Sequence, residues 1–200
     1  LDDDKRLYEI LSQQKARLQS SLAAAGHSTA VMRAASYYSP VSNFQDRIAG
    51  IGYFRLIEDL EKHFEEKKET LKENLKKLML LIFRPENLFV SVTTDEKGYL
   101  GVEGRVSTLR HLLYQTPVQT GKIHYDLEQK NEGFSTAGQV QYVAVSGNYK
   151  EAGYAYTGAL RILKVILSYD YLWMNIRVKG GAYGCMSSFK RSGDSFLVSY

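Results

Sequence analysis

A single cysteine, Cys185, stands in the 200 residues, so no internal disulfide can form. A lone thiol fits a reducing compartment, cytoplasmic or an organelle matrix, and without a neighbouring histidine it reads as a partly buried structural group rather than a nucleophile. The four histidines, His27, His63, His111 and His124, are never four apart, which removes the helical zinc pair. The nearest approach is His63-Phe64-Glu65-Glu66-Lys67, where an inverted zinc motif needs a second histidine at the place Lys67 takes; no metal site is expected in this chain. No apolar run reaches the length of a membrane span. The acidic start Leu1-Asp2-Asp3-Asp4 is unlike a signal or transit peptide. No long block of one charge sign is present either. The formal net charge of +4 is spread among interspersed Lys, Arg, Asp and Glu, so neither a nucleic-acid nor a membrane partner is expected.

What remains is an ordinary soluble composition, 44% hydrophobic, sufficient for one or two compact domains. Asp2 to Asp4 can cap a helix in which Leu7, Ile10, Leu11, Leu18 and Leu22 recur at helical spacing until Gly26 ends it. Thr29 to Tyr38 reads as a second, Ala-rich helix stopped by Ser39-Pro40. After a loop, Phe44, Ile48, Ile51, Phe54, Ile57 and Leu60 continue the helical pattern, bent near Gly50 and Gly52. Glu61 to Lys77 mixes five Glu with six Lys above a stripe of Leu71, Leu75, Leu78, Met79 and Ile82, the pattern of a wet helix with one buried face.

From Leu88 the character changes. Phe89 to Thr93 alternates like a short strand, Val102 to Leu113 reads as helix, and Thr116 to Gly121 as loop. Asn131-Glu132-Gly133-Phe134 is compatible with an edge that receives an extended peptide, but Asn and Gly favour a turn. Gln139 to Ser146 reads as a strand, and Tyr154 to Tyr169 as a helix burying Ala159, Ile162, Leu163, Ile166 and Leu167. Trp173, between apolar neighbours, is expected in the core. Ala182 to Lys190 and Ser195 to Tyr200 form strands around the turn Arg191-Ser192-Gly193-Asp194. The expected class is α+β: a helical first part, residues 1–86, then a sandwich-like α/β part with an antiparallel sheet, residues 87–200. Both ends break off abruptly, so an excised fragment, truncated at its C-terminus, is expected.

Arg177-Val178-Lys179-Gly180-Gly181-Ala182-Tyr183-Gly184 joins the last helical pattern to the closing hairpin. Gly180 and Gly181 let the chain turn sharply and bring Arg177 and Tyr183 to one space. A guanidinium fork and a phenol together suit an oxygen that gains negative charge. On spacing alone, a helix end with packed Arg and Tyr is the commoner outcome.

This stretch, with Tyr171-Leu172-Trp173-Met174-Asn175-Ile176 before it, resembles the C-terminal half of the pitrilysin/insulinase zinc metallopeptidases, in the presequence-protease-like branch. Gly26-His27-Ser28, Tyr53-Phe54-Arg55, Glu58-Asp59-Leu60-Glu61, Arg84-Pro85-Glu86-Asn87-Leu88 and Asn131-Glu132-Gly133-Phe134 are similar to it too. The resemblance implies a zinc-dependent metalloendopeptidase that degrades unfolded peptides, with zinc and its general base in an N-terminal half outside this chain. It implies catalytic roles for Tyr183, donating to the oxyanion, and for Arg177, holding substrate backbone oxygen beside Gly180 and Gly181. The partners implied are an unfolded peptide and the N-terminal half of the same protein; the fragment alone would be inactive and prone to self-association. A catalytically silent subunit that encloses peptide for a partner is the alternative.

Overall fold

The computed structural model describes residues 3–118, 121–136 and 138–200. Asp2 of the expected cap and residues 119–120 of the expected loop lie outside them. The fold is α+β, as expected: a helical first part and a small antiparallel sheet. Two compact units are present, and each is best described alone.

One unit comprises Lys5–Lys62 and His124–Tyr200. It carries α1 (Asp4–Ala24), α2 (Gly26–Ala35), α3 (Pro40–Ala49) and α4 (Ile51–Lys62). Gly26 begins α2 instead of ending a helix in a loop, since only Ala25 separates it from α1. Pro40 likewise starts a helix as well as stopping one. Its fixed φ suits the first helical position, and the Ser39 side chain before it accepts from the Ser42 N–H. The bend expected near Gly50 is a full break between α3 and α4, while Gly52 lies inside α4.

The sheet is β1 (Val143–Asn148), β2 (Cys185–Phe189) and β3 (Asp194–Ser199), in the order β1-β3-β2 and wholly antiparallel. Tight pairing of Lys190 with Asp194 closes the hairpin, and Gly193 adopts φ 109°, which explains the glycine in that turn. Helix α2 packs on β1 and β3, with α3 beside it. Leu11, Ala35, Ile51, Ile57, Leu172 and Val198 are buried. The core also holds polar groups: Ser42 donates to the buried carboxylate of Asp194 at 3.2 Å, joining α3 to β3. β1 starts later than the sequence pattern, because pairing with β3 begins only at Val143.

Between β1 and β2 run α7 (Gly158–Ile166) and a π-helical segment, Leu167–Val178. The periodic residues of α7 are not buried: Ile162, Leu163 and Ile166 are exposed. Helical spacing predicts an apolar face but not its cover, and among the described residues the three strands leave this face open. Trp173 is also outside the core, 46% exposed, with the Arg177 guanidinium over its ring.

The other unit comprises Leu1–Asp4 and His63–Ile123, with α5 (Phe64–Ile82), a 3₁₀ turn at Pro85–Asn87 and α6 (Glu96–Leu112). Two lysines of α5 are tied down by Asp4, which pairs with Lys68 at 3.0 Å and with Lys72. Of the expected apolar stripe, Leu78, Met79 and Ile82 are exposed and Leu71 and Leu75 half-buried; the buried residue of α5 is Phe64, at its start. Residues 89–93 form no strand; alternation alone does not make one without a partner edge, and Phe89 is 89% exposed. Helix α6 begins ahead of its apolar pattern because Asp95 caps it, accepting from the Gly98 N–H at 2.8 Å.

Candidate functional site

The π-helical segment ends in a wide version of the glycine cap. In an ordinary cap the two closing bonds span five and three residues. Here Ala182 N–H reaches the Ile176 carbonyl at 3.1 Å and Gly181 N–H the Arg177 carbonyl at 3.0 Å, one residue longer in each case, as the wider π turn requires. The two glycines have separate duties. Gly181 takes φ 77°, a left-handed conformation, with open space around it. Gly180 is needed for close approach: a Cβ there would lie 2.6 Å from the Ile176 carbonyl oxygen, a backbone atom that cannot yield.

This cap brings Arg177 and Tyr183 together. The Arg177 guanidinium donates to the backbone carbonyl of Tyr183 and lies 5.9 Å from its ring centroid and 4.6 Å from that of Trp173. No carboxylate pairs with Arg177 among the described residues. Tyr183 is 80% exposed. Neither residue lines the half-open cleft of about 270 Å³ that runs past His27, Met32, Ser42, Lys190 and Phe196. Tyr183 therefore faces outward, while Arg177 is half-buried between the Trp173 and Tyr183 rings.

A second constellation escaped sequence reasoning. Arg33 on α2 donates to Asp46 on α3 at 2.7 Å and to Glu132 at 2.7 Å and 3.1 Å, and the Tyr37 hydroxyl donates to Glu132 as well. Arg55 approaches Glu132 at 3.8 Å and covers the Phe134 ring. Asn131 to Phe134 is thus no turn but irregular chain clamped to α2 and α4. Asp46, nearly fully buried on an amphipathic helix, was the available signal.

The Arg33 hydrogen bond, with help from Tyr37 and despite partial burial, holds the Glu132 carboxyl at about 2, down from 4.5. Burial, with the Glu132 contact, pushes the Tyr37 phenol up to about 12. The sign for Glu132 follows from its lowered value: its contribution to stability is complete above pH 4.5 and is lost as pH falls toward 2. Acid titration of unfolding should show this loss, and Glu132→Gln should flatten the profile in that window. An unchanged profile would mean the clamp does not titrate with folding.

Residues 1–60 match the family model for the associated region of peptidase family sixteen, subfamily C, and residues 131–200 match PreP C-terminal domain. Protein HypA of Clostridium perfringens is 39% identical over 200 residues, which is all of this chain and 20% of that protein. Presequence protease 1, chloroplastic/mitochondrial, of Arabidopsis thaliana is 29% identical over 99% of this chain and 18% of its own length. The mitochondrial presequence protease of Yarrowia lipolytica is 26% identical over 98% of this chain and 20% of its own. The chain thus spans about a fifth of the length of the curated relatives it matches.

Proposed function

Because the chain belongs to subfamily C of that peptidase family, the presequence-protease-like branch, we propose that it supplies Arg177 and Tyr183 to the peptide-cleaving chamber of a longer zinc metalloendopeptidase acting on unfolded peptides. The observation that carries this reading is the juxtaposition of the two groups by one glycine cap, with Tyr183 exposed and Arg177 bonded to its backbone carbonyl. A phenol in open water stabilises a developing oxyanion poorly, because water competes for it and the dielectric is high. It becomes effective when a second surface closes over it, and the N-terminal half of the same protein is that surface in this reading.

Zinc finds no ligand set here: among the described residues no three His, Cys, Asp or Glu side chains converge. Its donors would come from outside this chain, where a bound zinc would supply Lewis-acid chemistry. The residues of this chain bind and orient. Arg177 offers the donors not used on the Tyr183 carbonyl to a backbone or terminal carboxylate oxygen of the peptide, Gly180 and Gly181 leave room for the peptide to approach, and Tyr183 donates to the carbonyl oxygen as it gains charge. The same reading takes residues 1–86 as the end of one domain of the parent and 87–200 as the start of its last, in the cytosol or an organelle matrix. The open apolar faces, α7 among them, suit burial by the rest of the protein and self-association of the isolated piece. No helix is long and apolar enough to cross a membrane among the described residues.

The test is cleavage of an unstructured peptide by the full-length protein, wild type against Tyr183→Phe. A large fall in kcat at little-changed KM supports the reading. Wild-type kcat in the variant removes Tyr183 from the chemistry, and no cleavage by wild type points to a peptide-enclosing subunit without activity of its own.

A further inference from the structure

Tyr183 lies in a bend between Gly180-Gly181 and β2 and is largely exposed, so no strand pairing of its own fixes the ring. Two neighbours face it, and the nearer is the Arg177 guanidinium, 5.9 Å from the ring centroid. The Tyr200 ring lies 6.3 Å from the Tyr183 ring, tilted by 45°. Tyr200 is itself held from several sides. Its backbone exchanges two hydrogen bonds with Gly184, at 2.9 Å and 3.0 Å, extending the β2–β3 ladder by one pair. Its ring stacks on His27 at 5.2 Å and 29°, and Tyr142 stands 5.8 Å away.

Room for this row is built into the chain. A Cβ at Gly184 would come within 2.5 Å to 2.9 Å of the Tyr200 ring and hydroxyl, so only glycine lets that ring lie across the strand beside Tyr183. Gly26 plays the corresponding part for Tyr142, whose ring occupies the space a Cβ would fill. Three places far apart in sequence, the start of α2, the approach to β1 and the end of β3, therefore converge on one row of rings. Tyr183 is its exposed outer member.

We propose that Tyr200, backed by His27 and Tyr142, is a positioning residue for Tyr183, setting the ring so that its phenol meets the substrate oxygen in line. The inference rests on the functional reading above. Arg177 fixes the backbone carbonyl of Tyr183 and Tyr200 fixes the ring, so the pair constrains the two ends of one residue. Tyr200 acts through its face and edge, not its hydroxyl.

The experiment is peptide cleavage by the full-length protein carrying Tyr200→Ala, Tyr200→Phe, or Tyr200→Ala with Tyr183→Phe, with folded, active protein counted in each case. Misplacing a catalytic group by an ångström costs about a hundredfold, so Tyr200→Ala should lower kcat by about ten- to a hundredfold with KM little changed. Tyr200→Phe keeps the ring and should restore wild-type kcat. Once Tyr183 has lost its hydroxyl there is nothing left to position, so Tyr200→Ala should cost less than about twofold in the Tyr183→Phe protein. Equal losses in both backgrounds, wild-type kcat in Tyr200→Ala, or failure of Tyr200→Phe to rescue would each overturn the inference. Should Tyr200→Ala not fold, Gly184→Ala serves, since it displaces the ring without removing it; the same loss, absent in the Tyr183→Phe background, is expected. Wild-type kcat in Tyr183→Phe alone would instead sink the functional reading, so the two failures are told apart.

Discussion

Arg33→Ala is expected to destabilise this chain by about 3 kcal/mol, the lower end of the range for removing one partner of a buried ion pair. The reason lies in what it leaves behind. Asp46 is 3% exposed, and its partner at 2.7 Å is the Arg33 guanidinium. Without Arg33 the carboxylate keeps only the Gly52 N–H at 3.2 Å, and its Oδ1 has no hydrogen bond even in the intact protein. Glu132 fares better, being 22% exposed and still facing Tyr37 and Arg55, which is why the cost stays near the low end. Arg33→Lys should recover part of the loss, because one ammonium cannot reach both carboxylates with a planar fork. Urea unfolding measures it as a lower midpoint at constant slope. A shift under about 1 kcal/mol would place the cluster with ordinary exposed pairs.

Tyr183→Phe is expected to lower kcat of the full-length protein by about a hundred- to a thousandfold, the usual effect of deleting one oxyanion donor. The ring and its contacts with Tyr200 and Arg177 survive in the variant, so stability and KM should hardly move. That separation is informative. A residue that merely packs through its ring would leave kcat alone in this variant, whereas a donor used only in the transition state lowers kcat and spares KM.

The helical first part and the closing hairpin were legible because their signals are local: apolar spacing, Ser39-Pro40, and Arg191-Ser192-Gly193-Asp194. The Arg177–Tyr183 pair was legible through resemblance, and its glycine spacing already implied a sharp turn. What was not legible depends on distant partners. Glu132 reads as part of a turn until Arg33, 99 residues away, is known to grip it. Phe89 to Thr93 alternates correctly but lacks a neighbouring strand, and α7 has an apolar face whose cover its own spacing cannot reveal. The π-helical turn was equally hidden, since its one-residue widening leaves no mark in a pattern read at 3.6 residues per turn.

The order β1-β3-β2 also dictates how the sheet assembles. β3 meets β2 across a short turn, from Phe189↔Ser195 outward, but meets β1 only by closing the long loop that contains α7. Loop-closure entropy makes the local hairpin the earlier event and β1 the late arrival, which pulse-labelled amide exchange would see as protection of β2 before β1. Tyr200 pairs with Gly184 at the open end of that hairpin, so its ring and Tyr183 come together as the hairpin finishes zipping, before His27 and Tyr142 are delivered. Tyr183 thus meets the Tyr200 ring as one hairpin closes, and the rest of the chain arrives afterwards to lock a contact already made.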